Sequence, residues 1–245
     1  MKTALYGRIL FGASAVFFGV IALMWHDAST WQELWRINAL PAGSVIGACL
    51  MVAQIAGGVG LLFPRTARSA SIVLGVVYTL FSLASIPGIV AAPRVFGEYD
   101  GFFEQFCLLC GAIAVYAATE ASAANSAALG RAARIGLALC TISFTLAQAI
   151  YFRATAGLVP AWIPPSQTFW TYLTTVAFAL AALAMLVNVK ARLAIRLMVL
   201  MVLLFGVAVW IPLLVTQPGT HLNWSEFALT LLIASAAWAV AEVAA

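Results

Sequence analysis

The sequence predicts an all-α, polytopic membrane protein of eight transmembrane helices, arranged as a parallel tandem repeat of four-helix bundles. Three observations carry that prediction. The 245 residues are 64% hydrophobic and only 8% charged, against roughly 45–50% and about 25% in soluble domains. Mean hydropathy is +1.06. Landmarks in the first half return in the second: Arg8 as Arg134, Thr66-Ala67-Arg68 as Lys190-Ala191-Arg192, Ile86-Pro87 as Ile211-Pro212, and Glu104 as Glu226. The offsets of 126, 124, 125 and 122 stay in order with little drift, as an internal duplication requires.

A span needs roughly 20 mostly apolar residues. Eight runs meet this: 6–25, 42–63, 67–90, 102–118, 134–152, 169–187, 193–215 and 223–241. The first could pass for a secretory signal, but it is long enough to cross, and no small-x-small cleavage site precedes His26-Asp27. Pro41 stands at the first turn of the second run, where a helix tolerates proline. Pro64 closes that run, and Pro160, Pro164 and Pro165 mark a loop. Pro87 and Pro212 lie near the ends of the third and seventh runs, where each should kink or stop its helix. Gly47, Gly57, Gly58 and Gly60, with Ala48, Ala53 and Ala56, give the second run a surface for close helix contact. The polar stretch TEASAANSAALGRAAR separates the halves. Residues 1–120 form the first unit, 121–133 a linker and 134–245 the second unit.

Loop charge sets the orientation. Lys2, Arg8, Arg65, Arg68, Arg131, Arg134, Lys190, Arg192 and Arg196, nine of the twelve basic residues, fall on one side. Arg36, Arg94 and Arg153 fall on the other. That bias predicts both termini in the cytoplasm. An even number of spans per unit then gives both units the same direction, about an axis along the membrane normal. The net charge of +4 sits in these loops as an orientation signal and is no argument for nucleic acid. Most tryptophans, Trp25, Trp31, Trp35, Trp162, Trp170, Trp210 and Trp224, fall near the outer ends, as interfacial anchors do.

Ionisable groups inside spans are costly and therefore informative. Glu104 sits just inside the fourth run and Glu226 holds the matching place in the eighth. Two readings stand: first-turn carboxylates favoured by the positive helix end, or a pair facing each other, or Arg153 and Arg36, across an outward cavity. His26 closes the first run and His221 precedes the eighth. Neither has a Cys or His at ligand spacing, so no metal site is expected. Cys107-Leu108-Leu109-Cys110 is the one recognisable motif. A dithiol near a helix start would exchange electrons, while packing is the plain alternative for small apolar cysteines. Cys49 would lie at similar depth, and Cys140 near the cytoplasmic end, out of reach. Gln54, Gln148, Tyr78 and Asn188 are isolated polar residues suited to interhelical hydrogen bonds.

These patterns resemble a known family. In the second half LVPAWIPPSQTFWTYLTTVAFALAALAML, KARLAIRLMVLMVLLFGVAVWIPLL and NWSEFALTLLIASAAWA are similar to DoxX-like proteins of the DoxX/MauE superfamily. In the first half GRILFGASAVFFGV, LPAGSVIGACLMVAQIAGGVGLLFPRTARSAS, LFSLASIPGIVAAP and GFFEQFCLLCGA read as another copy. The resemblance implies a duplicated four-helix unit of the bacterial inner membrane, with relatives in quinone-linked sulfur oxidation and thiol redox maintenance. The sequence carries no soluble redox domain and no loop cysteines, so the expectation is an accessory subunit with a membrane or periplasmic redox partner. It would bind quinone or another apolar molecule near the outer face, using Glu104, Cys107, Cys110, Glu226, His26 and Arg153. The competing expectations are a non-enzymatic scaffold, with surface carboxylates and no cavity, and a small-solute transporter.

Overall fold

The computed structural model describes residues 4–25, 36–37 and 39–244, and among these every regular element is helical. The first half supplies α1 (Ala4–Met24), α2 (Gly43–Leu62), α3 (Ala67–Ala91) and α4 (Phe96–Thr119). The second supplies α5 (Ala123–Ile150), the short α6 (Phe152–Leu158) and α7 (Gln167–Leu186). It continues with α8 (Ala191–Phe205), a π turn (Gly206–Trp210), α9 (Ile211–Thr216) and α10 (His221–Val243). With α8, the π turn and α9 counted as one span, eight helices among the described residues are long and apolar enough to cross a bilayer. Many large apolar side chains, such as Val45, Val76, Leu180 and Leu204, point outward from the bundle. That surface would be untenable in water and is ordinary in lipid.

Helix ends follow local chemistry. Ser122 caps α5 by accepting from the Asn125 amide, and Ser166 caps α7 by accepting from the Phe169 amide at 3.1 Å. Both satisfy first-turn N–H groups that lack an intrahelical partner. Pro41 lies in the turn before α2 and not in its first turn, since α2 begins at Gly43. Pro87 does not end α3, which runs on to Ala91. Two helices begin earlier than hydropathy suggests: α4 at Phe96 and α5 at Ala123. Most of the expected linker 121–133 is therefore helix, and residues 120–122 alone join α4 to α5.

The two halves make equivalent contacts. In the first, α1 packs on α2, α2 on α3 and α3 on α4; in the second, α5 on α7, α7 on α8 and α8 on α10. Across the halves α1 packs on α10, α5 on α4, and α4 on α10 at the centre. The central crossing is close. A Cβ on Gly111 would stand 2.6 Å from that of Ala236, a small-residue contact that lets two backbones approach. The α1–α2 contact is similar, since a Cβ on Gly12 would meet the Gly58 carbonyl at 2.6 Å. Gly57 and Gly60 meet Leu74 and Ala70 of α3, so the glycines of α2 face its two neighbours.

The repeat is also written in polar contacts. The buried Arg8 donates to the Leu61 carbonyl at the end of α2, and the buried Arg134 to the Met185 carbonyl near the end of α7. Arg68 reaches the Thr119 carbonyl and Arg192 the Ala244 carbonyl, at 3.5 and 2.8 Å. Each guanidinium thus occupies carbonyls left unpaired where a helix stops. These arginines gather at one end of the bundle, the basic end. The opposite end carries Glu98, Asp100, Glu104 and Glu226 near the starts of α4 and α10.

Candidate functional site

Asp100 and Glu104 lie one turn apart on α4, and Glu226 lies in the second turn of α10. Because α4 and α10 run side by side in the same direction, all three carboxyl groups line one cavity of about 300 Å³ toward the acidic end. Gln148 and Tyr151 at the end of α5 and Thr155 of α6 supply further polar wall, while Phe144, Phe178, Val202, Phe205 and Ile233 make the rest apolar. The Asp100 carboxylate accepts from the Ser143 hydroxyl at 3.3 Å. Gln148 accepts from Thr175 at 2.9 Å, tying α5 to α7. Among the described lining residues none is basic. Carboxyl groups are rare and costly at membrane depth, so three lining one largely apolar cavity are informative.

Glu104 and Glu226 are therefore brought together, and Asp100 joins them. Arg153 is exposed on α6 and does not line the cavity. Arg36 is engaged elsewhere: it pairs with Glu98 and donates to the Ser85 carbonyl at 3.1 Å. That ion pair rests on Gly88, where a Cβ would collide with both partners. His26 lies outside the described residues. His221 is buried at the start of α10, its ring stacked on Trp25 at 5.1 Å.

The cysteines differ from expectation. Because α4 starts at Phe96, Cys107 and Cys110 sit in the middle of a 24-residue helix and not at its start. The positive field of a helix N-terminus fades within a turn, so it does not reach them. Cys140 is not out of reach. It is buried in the same core cluster, close to both of their sulfurs. All are free thiols. Gly136 makes room, since a Cβ there would stand 2.5 Å from the Cys110 sulfur. The fourth cysteine, Cys49, is exposed on α2. Cys107 follows Glu104 by one turn on α4, and Cys140 precedes Phe144 by one turn on α5. Cys107 and Cys140 therefore lie one helical turn, about 5 Å, beyond the cavity on the side of the basic end, and Cys110 lies nearly a turn further. Among the described residues no group of three His, Cys, Asp or Glu is placed to hold a metal ion.

Two larger hollows, of about 490 and 550 Å³, lie along α7–α8 and along α2. Their walls are nearly all apolar, and they bring no set of ionisable groups together. Asp100 and Cys140 are the site residues that sequence reasoning passed over. Asp100 had a legible signal, standing four residues before Glu104 and thus on the same helix face. Cys140 had none, because its approach to Cys107 depends on how α4 and α5 pack. Comparison with protein-family models, with curated proteins and with solved structures finds no match in any of the three.

Proposed function

We propose that this integral membrane protein is a redox-associated subunit of the DoxX-like type, set in the bacterial inner membrane with both termini in the cytoplasm. In this reading it binds a small, largely apolar molecule with a polar head in the carboxylate-lined cavity, toward the outer face. The observation that carries the proposal is the convergence of Asp100, Glu104 and Glu226 from two helices on one cavity of about 300 Å³. A scaffold has no use for it. Carboxyl groups are expensive in a bilayer, and three sharing a cavity mark a functional site by default.

A quinone is the ligand class these surroundings suit. Its ring would lie against Phe144, Phe178 and Phe205, and its oxygens would meet the carboxyl groups and the Gln148 amide. Two of the adjacent thiols would supply the electrons. Their oxidation to one disulfide releases two electrons and two protons, which convert one quinone to one quinol. A membrane or periplasmic partner would then restore the thiols. A second reading, binding of a lipophilic cation, is favoured by the three carboxyl groups that line the cavity.

The test uses the whole chain in lipid nanodiscs with a short-chain ubiquinone as probe. The probe should raise the melting temperature of the wild type, and Glu104→Gln with Glu226→Gln should weaken its binding by about tenfold or more. The double variant Cys107→Ser/Cys140→Ser, left with one of the three thiols, should keep binding and lose quinol formation. Binding of tetraphenylphosphonium with none of the quinone would replace the leading reading by the second. Binding of neither would end both.

A further inference from the structure

The repeat gives the carboxylate cavity a counterpart position in the first half. Recurring contacts fix the register: Arg8 to Leu61 matches Arg134 to Met185, Arg68 to Thr119 matches Arg192 to Ala244, and Gly111 crosses Ala236. The offsets are 126 for α1 and α5, 124 for α2 and α7 and for α3 and α8, and 125 for α4 and α10. On this register the cavity residues Phe144, Phe178, Val202 and Thr230 correspond to Phe18, Gln54, Tyr78 and Gln105. The aromatic residue is kept. An aromatic and an aliphatic wall position have become Gln54 and Tyr78, and a hydroxyl has become the Gln105 amide.

All three are buried, Gln54 and Tyr78 fully so. Gln54 uses its amide N–H on the Ala15 carbonyl at 3.0 Å, which leaves its oxygen. That oxygen, the Tyr78 hydroxyl and the Gln105 amide oxygen have no hydrogen-bond partner, and neither has the Ser85 hydroxyl two turns along α3 from Tyr78. Buried polar atoms are paired in the large majority of cases, so each exception calls for an explanation. Four from three helices, three of them at the positions that line a cavity in the other half, are what a shared hydrogen-bonding occupant would account for.

We propose that the first half holds a second binding site, formed by Gln54, Tyr78 and Gln105, for a ligand that donates hydrogen bonds through hydroxyl groups. Two amide oxygens accept, and the phenol accepts or donates. Glu104, at the position that matches the cavity residue Leu229, is a further acceptor beside them. Ordered water and a hydroxyl-bearing small molecule share this chemistry. The site stands whether or not the carboxylate cavity binds quinone.

The test compares Tyr78→Phe and Gln105→Met with the wild type in nanodiscs. Each replacement keeps shape and removes the oxygen. With an occupied site, each should lower the melting temperature by about 2–4 °C, and a high-resolution structure of the wild type should show non-protein density within hydrogen-bond distance of the Tyr78 hydroxyl. Denaturing mass spectrometry of the purified protein separates the sources: a released organic molecule identifies a small-molecule ligand, and density without one identifies water. An unchanged or raised melting temperature in both variants, with no density at the site, is what a dry pocket relieved of unpaired oxygens would give and would overturn the proposal.

Discussion

Arg8 and Arg134 show how a costly residue becomes affordable inside a membrane protein. Each guanidinium is buried, yet each lies against a backbone carbonyl that the end of a neighbouring helix leaves open. The charge is partly neutralised by the negative end of that helix, and the carbonyl gains a donor. Arg8→Leu and Arg134→Leu should each destabilise the protein by about 1–3 kcal/mol, because the carbonyl then stays buried and unpaired. Thermal unfolding in nanodiscs would measure this, and the two losses should be similar because the two settings are. A loss in one half only would mean the two contacts are not equivalent. The same scale explains why Glu104 and Glu226 match imperfectly. Their offset is 122, but Gly111 and Ala236 at the crossing of α4 and α10 differ by 125. Glu226 therefore stands about one turn nearer its helix start than the true counterpart of Glu104, which is Leu229.

At the scale of elements, the existence of every span was legible in the residues, and the depth of two was not. Hydropathy reports where lipid begins, whereas a helix continues as long as its backbone is bonded. The opening turns of α4, with Glu98 and Asp100, and of α5, with Asn125 and Arg131, are too polar to join an apolar run, so both helices were read short. That error placed the CLLC pair at a helix start and Cys140 beyond its reach. The facing of side chains was illegible for another reason. A helix surrounded by lipid on one side and apolar neighbours on the other shows little periodicity. The π turn is a further element-scale device. Phe81 and Phe205 match at 124, while Pro87 and Pro212 match at 125, so one residue has been inserted between them, and Gly206–Trp210 is where it is absorbed. Deleting Val207 should close the turn into regular α-helix like that of α3, tightening the helix beside Phe205 while α9 keeps its facing. The cavity beside Phe205 and Thr230 would then be reshaped. Probe binding should fall while the purified protein stays folded by circular dichroism, and undiminished binding would show that the insertion is unrelated to the site.

For the molecule as a whole, the repeat divides the sequence more cleanly than it divides the structure. The core is made across the halves: α1 lies on α10, α4 on α5, and α4 on α10. Glu242 accepts from the Gly7 amide at 3.0 Å, so the last helix caps the first. Either half alone would leave the inner faces of two helices without partners, and the cavity, which needs Asp100 and Glu104 from one half and Glu226 from the other, would not exist. Covalent continuity between the halves rests on residues 120–122. A gene cut there and expressed as two pieces should yield an intact particle, copurifying as a one-to-one pair and binding the probe as the uncut protein does. Each piece made alone should be degraded or aggregate. A single chain delivers the two pieces in equal number, which a cavity walled from both requires.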